Sequence, residues 1–167
     1  MAVKPVDNSV YSKKPSKLNN FVTGALVDLK LSIPVLSQHT VGDYYSKQTE
    51  IAQNLLGMQD GKEAGPIKKI VKGFTSQIVY SLPIIGTYKL GKAKVNHENL
   101  KNTVIADKYN SIYNAKKKGV FKTYMQGLAE KLKFSIPVYN TYYAGKIANE
   151  SKNMLKDSQV INAKLNA

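Results

Sequence analysis

Residues 80–92 read YSLPIIGTYKLGK, a proline and two glycines inside an otherwise apolar and aromatic stretch. The chain holds two relatives of it. Ser32-Ile33-Pro34-Val35, Ser81-Leu82-Pro83-Ile84 and Ser135-Ile136-Pro137-Val138 are three copies of S-[IL]-P-[VI]. Eight residues after each proline stands a glycine, Gly42, Gly91 and Gly145; ten residues before it stands another, Gly24, Gly73 and Gly127. With only 11 glycines in 167 residues, that register identifies an internal repeat, its prolines 49 and then 54 residues apart.

Large apolar residues keep the same register. They recur 16, 13, 12, 9 and 5 places before each proline: Leu18, Phe21, Val22, Ala25, Leu29; Ile67, Ile70, Val71, Phe74, Ile78; Phe121, Tyr124, Met125, Leu128, Leu132. Spacings of three and four draw one stripe along a helix, so a first helix is expected up to each proline. The S-[IL]-P step then stops it, because a residue before proline is biased out of the helical region. The serine is placed to cap a second helix with proline in its first turn. After the proline, Ile84, Tyr88, Gly91 and Val138, Tyr142, Gly145 again fall at helical spacing, with glycine allowing close approach of another helix. The polar tails Lys92–Asp107 and Lys146–Asp157 continue that second helix.

The expected fold is therefore all-α: three tandem helix-bend-helix repeats, read as helical hairpins, over 18–58, 67–107 and 121–161. Gln59–Pro66 and Tyr109–Gly119 are turn-rich or polar links. Residues 1–17, rich in Lys, Ser, Pro and Asn, are expected to form a disordered basic N-terminal segment. On this reading the repeated stripes either form the core of a small array or serve a surface.

Charge narrows the function. The chain carries 25 basic and 11 acidic residues, a formal net charge of +14, and every basic residue is lysine. Such an excess implies an anionic partner. Lysine lacks the planar fork with which arginine reads guanine edges and clamps phosphates, so a sequence-specific nucleic-acid reader is not expected. Lysine does suffice for an anionic membrane surface, at about 1 kcal/mol per residue. A lysine cluster opens each unit: Lys13, Lys14 and Lys17; Lys68, Lys69 and Lys72; Lys116, Lys117, Lys118 and Lys122. Helix N-termini disfavour cations by a few tenths of a kcal/mol each, a cost that an external anion would offset.

Each proline, in contrast, lies in a stretch without charge: Leu31–Gly42, Gly73–Tyr88 and Phe134–Gly145. These bends offer Ile33, Val35 and Leu36; Leu82, Ile84, Ile85 and Tyr88; Ile136, Val138, Tyr139 and Tyr142. Apolar and tyrosine-bearing, they suit the boundary between headgroups and acyl chains. An uncharged bend flanked by lysines has the makings of a shallow membrane wedge. No segment reaches the roughly 20 apolar residues of a spanning helix. The N-terminus has no continuous apolar stretch of a cleavable signal.

Catalysis finds no support in the motifs. The cysteine-free chain has no thiolate ligands, and its two histidines, His39 and His97, occupy different places in the repeat. Neither has a partner at zinc-ligand spacing, and both are expected at the surface or on helix flanks. No phosphate-binding loop is present. No enzyme, cofactor or metal is expected.

Ser81-Leu82-Pro83-Ile84-Ile85-Gly86-Thr87-Tyr88, with its echo Ser135-Ile136-Pro137-Val138-Tyr139-Asn140-Thr141-Tyr142, resembles the S-[IL]-P-[VI]-x-G-T elements of small secreted chlamydial proteins. More loosely it resembles their early type III effectors, which bind and deform the host plasma membrane. The resemblance implies secretion without a cleavable signal and peripheral binding at the cytoplasmic face of a host membrane. It further implies phosphatidylserine or phosphoinositides as ligands and contact with host endocytic or curvature proteins. Pro5 and Pro15 are isolated, so no P-x-x-P site for an SH3 domain accompanies it. The alternative from another class is a soluble helical-repeat scaffold that binds a host protein.

Overall fold

The computed structural model describes residues 11–58, 63–108 and 118–167. The described residues form six helices, α1 (Lys17–Ser32), α2 (Pro34–Leu55), α3 (Pro66–Ser81), α4 (Pro83–Lys108), α5 (Val120–Ser135) and α6 (Tyr139–Leu165). Each S-[IL]-P therefore ends one helix and leads into the next, and the polar tails do continue the second helices.

In the first two units the break is a single extended residue, Ile33 (φ −102°, ψ 122°) or Leu82 (φ −79°, ψ 126°), and proline opens the following helix. The serines do not cap it. Ser32, Ser81 and Ser135 donate their hydroxyls backward to the carbonyl oxygens of Leu29, Ile78 and Leu132 at 2.7, 2.6 and 2.7 Å. Sitting at the end of the first helix, each reaches a last-turn carbonyl more readily than the amides beyond the proline. The third bend is wider. Ile136 is extended, Val138 lies in the left-handed region at φ 64°, and α6 starts only at Tyr139. A β-branched residue at that φ costs on the order of 1–3 kcal/mol.

Helix pairing differs from a hairpin within each unit, because a one-residue joint is shorter than the two to five residues an αα-hairpin turn takes. α2 packs chiefly on α3, α4 on α5, and α6 on α1. The antiparallel pairs thus cross unit boundaries, and the third unit closes back on the first. Three glycine pairs mark the crossings: Gly42 with Gly73, Gly91 with Gly127, and Gly145 with Gly24. A Cβ on Gly42 would collide with the Lys69 carbonyl, one on Gly91 with that of Thr123, and one on Gly145 with that of Asn20. These carbonyls all lie 14 residues before their prolines. One contact, used three times, makes a closed ring of pseudo-threefold form.

The second helices meet inside that ring. Ile51, Leu100 and Met154, each 17 residues after its proline, are buried together with Val104 and Ile161. Tyr11 joins this core; Ser12 N–H donates to Asp157 Oδ1 at 2.7 Å, and Lys164 Nζ donates to the Tyr11 hydroxyl at 3.0 Å. Residues 11–17 are therefore ordered against α6, unlike the expectation for 1–17, of which 1–10 lie outside the described residues. Most of the link 109–119 lies outside them as well.

Candidate membrane-facing surface

The helical stripe of the sequence is real, but it faces outward. Leu18, Phe21, Val22 and Leu29 on α1, Ile67, Val71, Phe74 and Ile78 on α3, and Phe121, Met125 and Leu132 on α5 are all exposed. What these helices bury is the opposite face, made of glycine and polar residues: Asn20 and Gly24, Lys69, Gly73 and Ser76, Thr123, Gly127 and Glu130. Close approach of two backbones needs small residues at the crossing, so the glycine face turns inward and the bulky face cannot.

The bends gather at one end of the ring. Ser37, three residues past Pro34, accepts from Gln77, six residues before Pro83, at 2.7 Å. Thr141, four past Pro137, donates to Asp28, six before Pro34, at 2.6 Å. The Thr87 carbonyl, four past Pro83, abuts Gly127, ten before Pro137. Each bend thus starts beside the end of the next unit's first helix. Of the residues expected to insert, Ile33, Val35, Leu36, Leu82, Ile84, Ile85, Ile136, Val138 and Tyr139 are exposed, and Tyr88 and Tyr142 are half-buried. Tyr139 and Tyr142 lie together at 6.2 Å between ring centroids, and Phe21 adjoins Tyr142 at 5.9 Å.

The lysine clusters lie at the other end of the first helices. Lys13, Lys14, Lys17, Lys68, Lys118 and Lys122 are exposed, whereas Lys72 is half-buried and Lys116 and Lys117 fall outside the described residues. Lys69 departs from the expected headgroup role. It is buried and pairs with Asp43 at 2.8 Å and Glu63 at 2.7 Å. Burial alone would lower its pKa, but these carboxylates outweigh it and raise the pKa. Two lysines outside the expected clusters stand nearer the bends: Lys30 and Lys131 are exposed, four and six residues before their prolines. Distance from the proline was the signal that could have found them.

His97 differs from the expected surface residue, being one of the most buried side chains. It stands 14 residues after Pro83, where the other units place Gln48 and Ser151, also buried. A hydrogen-bonded chain runs through it. Asn96 Nδ2 donates to Gln48 Oε1 at 2.9 Å, Gln48 Nε2 donates to the Tyr44 hydroxyl at 2.7 Å, and that hydroxyl faces His97 Nδ1 at 3.4 Å. His97 Nε2 lies 3.0 Å from Glu150 Oε2, and Lys101 Nζ donates to Glu150 Oε1 at 3.0 Å. Burial would raise the Glu150 pKa, yet the His97 and Lys101 bonds outweigh it and hold it at about 2. Burial pushes the Tyr44 and Tyr143 phenols well above their ordinary value; for Tyr143 the adjacent Glu130 carboxylate, which accepts its hydroxyl proton, adds to the rise. These groups tie the inner faces of the helices together.

Among the described residues, no group of three or more His, Asp or Glu side chains is placed to hold a metal ion, and no helix is long and apolar enough to cross a membrane. No protein-family model, curated protein or solved structure matches the chain.

Proposed function

We propose that the protein seats its bend end in one leaflet of an anionic membrane and acts as a wedge. The carrying observation is the inverted stripe: three helices present bulky apolar faces to the outside while burying glycine and polar groups. Contiguous apolar surface on this scale is what lipid or partner interfaces cover. Dimensions favour lipid. Lys17, Lys68 and Lys122 stand 15 to 17 residues before their prolines, about 22–25 Å up a helix at ~1.5 Å per residue. One leaflet with its headgroups is about 20 Å thick. Bends near the midplane therefore carry the lysine clusters to the level of the phosphates, with the apolar faces among acyl chains between them. Lys30 and Lys131 lie on that path, where a lysine's long apolar stem lets its ammonium reach toward the headgroups.

Three bends at one end would expand a single leaflet and leave the other unchanged, which generates curvature. The secreted, host-entry setting implied by the S-[IL]-P-[VI] resemblance would make this the cytoplasmic leaflet of a host membrane, rich in phosphatidylserine or phosphoinositides. The test is sedimentation with vesicles. Phosphatidylserine vesicles should pull the protein down at low salt, and binding that is indifferent to lipid charge would overturn the reading.

A further inference from the structure

We infer that the bundle also holds one acyl chain with an anionic head inside the ring, supplied by the leaflet it enters. This rests on the membrane reading above. Because α1 and α2 pack chiefly on different neighbours, a cavity of about 570 Å³ opens between them, lined also by residues of α4, α5 and α6. That volume falls within the ~300–1,000 Å³ range of small-ligand pockets. Toward the bends its wall is mainly apolar, with Leu31, Val41, Leu90 and Phe134, beside the exposed Lys30 and the ion-paired Glu130. Toward the lysine end it turns polar. Ser151, 2% exposed, lines the cavity there, and the half-buried Tyr45, whose ring shares Lys89 with Tyr80, lines it nearer the bends; each has a buried hydroxyl with no hydrogen-bond partner.

The charges of the wall select the head. Both carboxylates in the wall are already matched, Asp43 by Lys47 at 2.7 Å and Lys69 at 2.8 Å, and Glu130 by Lys133 at 3.0 Å. Lys152, beside Ser151, is exposed and has no carboxylate partner among the described residues. It stands 15 residues after Pro137, about 22 Å along α6 if the helix is taken from the bend. In the proposed seating that is headgroup level, while the apolar wall lies at the depth of the acyl chains. The free Ser151 hydroxyl and the unmatched Lys152 ammonium over a mainly apolar shaft, with a second free hydroxyl on Tyr45 in its wall, fit a carboxylate or phosphate on one chain.

Native mass spectrometry and calorimetry with oleate, below its aggregation concentration, test this without a membrane. A one-to-one complex is expected. Ala148→Phe, which fills the shaft, should abolish it, and Lys152→Glu, a surface change, should weaken it about tenfold. Oleyl alcohol should bind no better than the Lys152→Glu protein binds oleate. If Ala148→Phe lowers the melting temperature, Ala144→Phe on the same wall replaces it. Ile84→Glu/Ile85→Glu should keep the oleate complex while losing vesicles, so a failed wedge and an empty cavity give different results. Absence of the complex, equal binding of the alcohol, or several oleates per chain unaffected by either cavity variant would each overturn the inference.

Discussion

The wedge makes its sharpest prediction at the second bend, where Ile84 and Ile85 are 71% and 58% exposed. Moving a fully exposed isoleucine out of water is worth about 1.5–3 kcal/mol, so each of these contributes roughly 1.5 kcal/mol to insertion. The double change Ile84→Ala/Ile85→Ala should therefore cost about 3 kcal/mol of membrane affinity, on the order of 100-fold. Fold stability should shift by no more than about 0.5 kcal/mol, because neither side chain contributes to the core. Glutamate at both positions adds the cost of placing charge in hydrocarbon and should eliminate sedimentation. The assay pairs titration with phosphatidylserine vesicles and urea denaturation of the same samples. A double-alanine variant that unfolds several-fold more readily would place the bends in the core. One that stays folded and binds vesicles like the parent would remove the bends from the membrane contact.

Further outcomes follow from the ring and its charges. Gly42→Ala and Gly91→Ala should each destabilise the fold by about 3 kcal/mol in urea denaturation, since both drive a methyl into a neighbouring helix carbonyl, whereas Gly119→Ser, with open space around it, should be near neutral. Lys68→Glu should weaken vesicle binding, most at low salt, and leave the melting temperature unchanged; Lys69→Glu should lower the melting temperature because it sets three carboxylates against one another. The depressed Glu150 pKa stabilises the fold above the unfolded value near 4.5 and that support is lost as pH falls toward about 2, so circular-dichroism melts of the parent should show an acid loss that Glu150→Gln lacks.

The repeat, its bends and its helical periods were legible because each depends on local spacing. Proline after an extended residue breaks a helix whatever surrounds it, and the two glycines in register with it foretold a helix crossing. Which units cross was not legible, since glycines 24, 42, 73, 91, 127 and 145 pair equally well within a unit or between units on spacing alone. The one-residue joints Ile33 and Leu82 decided it by leaving no room for a reversal. The burial of His97 could have been seen by aligning it with Gln48 and Ser151 rather than with His39. Ile51, Leu100 and Met154, three residues further on in each unit, mark the same inward face.

The direction of the stripe is the deeper case. A period of three and four names a face of a helix but not the medium that face meets, and the same pattern serves a core in water or a surface in lipid. The second periodicity carries the difference: Asn20 and Gly24, Lys69 and Gly73, Thr123 and Gly127 place a polar or small residue four before each glycine, opposite the bulky stripe. Glycine at the crossing is what lets helices approach closely when lipid surrounds them. In a water-filled setting that face would lose to the bulky one, because burying leucine and phenylalanine outweighs burying glycine by kilocalories per residue. The fold closes on glycine nonetheless and leaves the bulky stripe uncovered. On the proposed seating, the end capped by three bends, with Lys17, Lys68 and Lys122 about one leaflet away from it, would meet an apolar medium in the hydrocarbon of a single leaflet.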